Sequence, residues 1–267
     1  MRRRFNRRPP FVPSGGISYA IPRRLVELND EQAITVEFVS RRRLFGDGYS
    51  RLQSDYFWHM PPASGVFVFL FAPTFWFAPT ATKPGDVDML IVPYEGDELV
   101  LNRTLAVEIK VVRATVHKPG RSPNEFGFSQ AEGLKALGFP YVAVAHLIVS
   151  EESPKEAWQE MLTFKVLDDA GNVGDRHMQL VDTLPLTLMH RTQGRLEKAC
   201  SSDDIGLLSA FVRYADLEVA SRYKNGIWYS EGRQAIQNRN VSTRVMKAVG
   251  DLFEARPEWW LDNPRHG

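Results

Sequence analysis

Cysteine is nearly absent from this chain of 267 residues: Cys200 is the only one. A lone thiol excludes an intramolecular disulfide and a cysteine-based zinc cluster, and it points to a reducing, cytoplasmic setting. Long apolar runs are missing as well. The greasiest stretch, GVFVFLFAPTFWFAP from Gly65 to Pro79, is shorter than a membrane span and is interrupted by Pro73. It reads as sheet core, and no membrane association is expected. The opening MRRRFNRRPP is basic, but no apolar segment follows it as a secretory leader requires. There is no overall charge excess, since 33 Lys and Arg balance 32 Asp and Glu to a net +1. The chain as a whole is therefore not a polycation. Lysine is missing from residues 1–51, where 11 arginines stand against 5 acids. A P-loop, a dinucleotide fingerprint, a Gly-x-Ser-x-Gly elbow and a His-x-x-x-His spacing are all lacking.

Hydrophobic residues make up 43% of the chain, enough for a real core. Residues 1–16, rich in Arg, Pro and Gly, read as a flexible basic arm. Asn29-Asp30-Glu31 opens a helix that runs toward Arg41-Arg42-Arg43. Three strands follow: GVFVFLFAP, TFWFAPT and DVDMLIVP. After the turn YEGDE comes LVLNRTLAVEIKVV, a long strand or a strand pair. FSQAEGLKALGF is a short helix and YVAVAHLIVS a buried strand. The order helix, strands, helix, strand is that of an α/β core over residues 17–150. Residues 151–267 read as additional strands and helices packed on that core. SPKEAWQEM, with Ser153 as cap, and SSDDIGLLSAFVRYADLEVASRY are both read as helices, and STRVMKAVGDLFEA as a third ended by Pro257.

The chemistry lies in GDVDMLIVPYEGDELVLNRTLAVEIKV, from Gly85 to Val111. Alternate residues of a strand share a face, so Asp86 and Asp88 point one way on the first strand and Glu108 and Lys110 one way on the second. If the strands pair antiparallel, Asp88 meets Glu108 with Lys110 beside it. Two close carboxylates repel unless a cation lies between them. A hard divalent ion such as Mg²⁺ or Mn²⁺ suits such a site, with the carbonyl of Ile109 as a further ligand. Lys110 then stands to orient the attacking water or to steady charge developing on phosphate. The same residues also suit cross-strand ion pairing at a solvated sheet edge.

This pattern resembles the PD-(D/E)xK nuclease superfamily through PGDVDML (Pro84 to Leu90) and VEIKV (Val107 to Val111), over roughly Val66 to Ser150. The strict Pro-Asp pair is absent, so Asp86 and Asp88 both remain candidates for the first acid. The resemblance implies a restriction-endonuclease-like mixed β-sheet flanked by helices, here with a helical C-terminal extension. It implies Asp88 and Glu108 as metal ligands, Lys110 as the essential lysine, Gln130 on the following helix as a group that positions water or phosphate, and Glu37 as an extra helix acid. The implied activity is metal-dependent hydrolysis of nucleic acid, with DNA as the expected substrate. Arg41, Arg42, Arg43, Arg113, Lys118 and Arg121 would touch backbone phosphates. Two alternatives stay open: a nucleic-acid-binding module that does not cut, and a nuclease-fold subunit active only with a protein partner or as a homo-oligomer.

Overall fold

The computed structural model describes residues 1–9, 23–25, 30–79, 85–119, 123, 125–168, 170–214 and 229–265. They form a mixed α/β structure: a nine-stranded mixed sheet with helices on both faces, and a separate two-stranded hairpin. The main sheet contains β1 (Arg2–Arg4), β2 (Ser64–Pro73), β3 (Asp86–Glu95), β4 (Glu98–Val100), β5 (Leu105–Ala114), β6 (Tyr141–Ser150), β9 (Gly206–Tyr214), β10 (Tyr229–Arg233) and β11 (Trp260–Pro264). From one edge the order is β11, β2, β3, β5, β6, β9, β10, while β4 pairs the tail of β3 and β1 pairs β4. β5, β6 and β9 run parallel and the other pairs antiparallel. All ten residues of β6 are buried, which is why its sequence is a continuous apolar run rather than an alternation.

One face packs against α1 (Asp30–Ser40) and α2 (Arg42–Leu52), with the short α3 (Ser54–Phe57) following. The other face meets α4 (Phe128–Leu137), α5 (Leu184–Ala199) and α6 (Thr243–Ala255). α6 starts where the Ser242 hydroxyl accepts the Val245 amide at 3.3 Å, and its buried stripe Val245, Met246, Val249 and Phe253 has helical spacing. Among the described residues no helix is long and apolar enough to cross a membrane.

Several expectations change. The start of the chain is not a free arm: Arg2–Arg4 form β1 and Phe5 is buried against Phe67, Tyr94 and Phe253. Residues 10–16 lie outside the described set. TFWFAPT is a 3-10 turn, Thr74–Trp76, rather than a strand, since the chain must turn there to reach β3. SPKEAWQEM holds only the 3-10 turn Lys155–Ala157 before β7 (Gln159–Val166). Ser153 does not cap a helix there, because its amide and hydroxyl both bond to Asp182. The segment read as a helix from Ser201 is β9 over Gly206–Tyr214, which lies parallel to β6 with both faces covered, and its residues 215–223 lie outside the described set. The region beyond 150 is more than a helical extension: β9, β10 and β11 belong to the main sheet.

Candidate active site

Asp88 sits where β3 leaves its neighbours. The β3–β5 ladder covers only Met89 to Ile91 against Val107 to Leu105, so it ends one step short of the Asp88/Glu108 pair. On the other side, β2 and β3 pair at Leu70/Met89 and Ala72/Val87, but Phe71 and Asp88 between them do not. Phe71 has φ 54°, a left-handed conformation that costs a bulky residue about 1–2 kcal/mol. Such strain persists only where the surroundings impose it. Into the fork between β3 and β5 the Asp88 carboxylate takes the place of a ladder carbonyl, with Oδ2 accepting the Ile109 N–H at 2.7 Å. It is thus the amide of Ile109 that meets Asp88.

Glu108 and Lys110 share the face that α4, α5 and α6 cover. Lys110 Nζ donates to Glu108 Oε1 at 2.7 Å. Glu108 is almost wholly buried, while a fifth of the Lys110 side chain remains open, at 21% exposure. On this face the apolar packing divides into one cluster under α4 and α6 and another under α5. Along β5, β6 and β9, Lys110, His146 and Ser209 are register partners, so they form a polar row across the sheet.

The electrostatics follow from this partial burial. Burial raises the Asp88 carboxyl to about 7, the nearby Glu108 charge adds to the rise, and the Ile109 N–H opposes it. Burial also raises Glu108, against the hydrogen bond from Lys110. Burial by itself would lower Lys110, but the hydrogen bond and charge of Glu108, helped by Asp88 and Glu31, hold it above the usual lysine value. Asp86 is exposed on the rim, where its charge raises both Asp88 and Glu108. The two carboxylates are therefore undercompensated in charge: Lys110 bonds Glu108, while Asp88 has, among the described residues, only the Ile109 N–H as its hydrogen-bond donor.

Two residues beyond the motif shape the site. Gly127, which caps α4 with φ 89°, lies so close to β5 that a Cβ would stand 2.9 Å from Glu108 Cγ. His146 is buried, with Nε2 3.1 Å from the Phe126 carbonyl, so Nε2 carries the proton. Burial lowers its pKa to about 4, with a further push from Lys110. Its ring stacks on Phe126, which stacks on Phe128. This stack holds the start of α4, and with it Gly127, over Glu108. Neither residue carries a spacing signal in the sequence. Their roles arise from the parallel β5/β6 register and from the left-handed cap.

The other expected residues are dispersed. Gln130 lies in the first turn of α4 and its Oε1 accepts the Ser129 hydroxyl at 2.9 Å. Glu37 is engaged by Arg41 and by Arg213 at 3.2 Å; the α1 acid whose charge reaches Lys110 is Glu31. The arginine triplet divides between internal bonds and solvent. Arg41 turns inward to the Val212 carbonyl and Glu37, and Arg42 donates to the Pro264 carbonyl at 2.8 Å. Arg43 is exposed and, with Arg42, Arg51 and Arg265, lines a cavity of about 720 Å³ beside α2 that also borders Trp58 and Gly65. Gly65 lies near the start of β2, so this cavity lies toward the opposite end of that strand from Asp88. Arg113 pairs with Asp30, Lys118 is exposed, and Arg121 lies outside the described residues.

The donor set fits a hard divalent cation of the Mg²⁺ type. Such ions take one or two carboxylates and keep several waters, and Asp88 with Glu108 supplies two that repel each other. Among the described residues no group of three His, Cys, Asp or Glu side chains gathers as a complete cage, which is less than a structural zinc or calcium site demands. Comparisons with family models, curated proteins and solved structures gave no match.

Proposed function

We propose that the protein is a metal-dependent nuclease of the restriction-endonuclease-like kind, acting on DNA. The observation that carries this reading is the meeting of Asp88, Glu108 and Lys110 at the fork between β3 and β5, with the lysine partly open to solvent. Solvated surface ion pairs do not need a strained neighbour, a broken ladder or a glycine packed onto the acid. Asp88 and Glu108 would hold Mg²⁺ or Mn²⁺, which when bound supplies Lewis-acid polarisation of a phosphoryl oxygen. Asp88 also fixes the strand geometry through the Ile109 amide. Lys110, held protonated by Glu108, places a positive charge where negative charge grows on a phosphodiester during attack. Asp86 on the rim is the second candidate for a cation ligand, and Gln130 a candidate to orient phosphate from α4.

A second reading has its own support. Arg2, Arg3, Arg4, Arg8, Arg41 and Arg113 are all held by acids of the same chain. Such pairing leaves less basic surface for autonomous binding of nucleic acid, as suits a nuclease whose partner delivers the substrate. The test is incubation of the full chain with plasmid, linear duplex and single-stranded DNA in Mg²⁺, in Mn²⁺ and in EDTA. The nuclease reading expects cleavage that EDTA abolishes. Cleavage that persists in EDTA contradicts it, and no cleavage in any condition moves support to the partner-dependent reading.

A further inference from the structure

Among the described residues, β7 and β8 (Val173–Val181) form a two-stranded sheet that pairs only with itself. An isolated two-stranded hairpin is marginal in water, yet this one is firmly founded. At its base the buried Asp182 accepts the Ser153 amide at 3.2 Å, the Leu184 amide at 3.0 Å and the Tyr214 hydroxyl at 3.1 Å. The register places Leu162 with Met178, Glu160 with Leu180, Phe164 with Arg176, and Val166 with Val173. One face therefore carries six large apolar side chains, each 36–60% exposed. The other face, including Gln159, Thr163, His177 and Gln179, is largely polar. The apolar face presents on the order of 500 Å², at the upper end of what monomers leave bare.

We infer that this face pairs two copies of the chain about a two-fold axis. The argument for a second copy is charge complementarity. The face holds one acid, Glu160, near the open end on β7, and one base, Arg176, nearer the turn on β8. Among the described residues neither has an ion-pair partner. A two-fold interface brings residue i onto j and j onto i. An axis passing between Leu162 and Met178 sets Glu160 against the partner subunit's Arg176 and Arg176 against the partner subunit's Glu160. Leu162 and Met178 then form the apolar centre, and the stacked hairpins make a small sandwich. The area is below the roughly 800 Å² per partner of a standard interface, so the pairing is a reversible equilibrium rather than an obligate one. The inference is independent of the nuclease reading, because none of these residues belongs to the Asp88 site.

The test is sedimentation velocity of the full chain over a range of micromolar concentrations. The wild type is expected to show a monomer–dimer equilibrium. Leu162→Glu should weaken it by roughly tenfold or more while leaving the melting temperature unchanged. Glu160→Arg and Arg176→Glu should each weaken it, and the double variant should restore it to within about twofold. A monomer at every concentration overturns the inference in favour of a different occupant. A dimer indifferent to Leu162→Glu or to the charge reversals places the interface elsewhere and overturns it as well.

Discussion

Asp88 is held where its negative charge costs folding free energy, and the sign of that cost fixes a pH dependence. Its folded pKa, about 7, lies above the unfolded value near 4. The folded chain therefore binds the extra proton between those limits, and this site loses stability as pH rises from about 4 to about 7. The penalty is absent below that window and complete above it. Asp88→Asn should raise the melting temperature at about pH 8, by an amount worth about 1–3 kcal/mol, and leave it nearly unchanged at about pH 4. Mg²⁺ should stabilise the wild type at the higher pH and the variant much less. A thermal melt series across pH, with and without the ion, checks both statements, and equal curves for the two proteins would refute them. Gly127 gives a second test. Its φ of 89° and its 2.9 Å approach to Glu108 Cγ leave no room for a methyl group, so Gly127→Ala should displace Glu108 and weaken Mg²⁺ binding by titration calorimetry, at a stability cost of about 1–2 kcal/mol. Unchanged ion affinity would show that the close approach does not shape the carboxylate pair.

β1 shows how a short element changes the meaning of its residues. A basic, proline-containing start reads as a tail, but pairing with β4 and the burial of Phe5 make it part of the fold. Arg3 bonds to Asp251 at 2.6 Å and Glu254 at 2.7 Å on α6, and Arg4 to Asp97 at 2.6 Å. Phe5→Ala should cost about 3–5 kcal/mol in urea unfolding, and a negligible loss would mean that the segment is not anchored. Legibility in the sequence followed the range of the interactions. The apolar runs of β3, β5 and β6 and the helix α6 rest on local patterns, and they read correctly. Asp88 and Glu108 were legible as neighbours because a strand pair with a fixed face alternation brings them together. β1 depends on a partner almost a hundred residues away, and β9 looks helical because burial on both faces erases its period of two. The internal bonds of Arg41 and Arg42 were not legible, because charge density does not reveal which guanidinium groups find carbonyls and acids inside the molecule.

The whole molecule places two partly buried, mutually repelling carboxylates and a lysine at a fork in its main sheet. A sheet with helices on both faces is a suitable support for such a site, because packed elements fix side-chain positions. The nuclease reading assigns them different tasks, and these separate experimentally. Lys110 acts on the transition state, so Lys110→Ala should leave DNA affinity and melting temperature nearly intact while lowering Mg²⁺-dependent cleavage by roughly 10²-fold or more. Glu108→Gln weakens the hold on the ion, so excess Mg²⁺ or Mn²⁺ should partly restore its rate. A simple ion pair between Lys110 and Glu108 would instead give a stability change of about 0–1 kcal/mol and no effect on cleavage. Cleavage rate, DNA affinity and melting temperature measured side by side for the wild type and Lys110→Ala decide between them. The nuclease account predicts a large fall in rate alone, and an equal rate in a folded variant would contradict it.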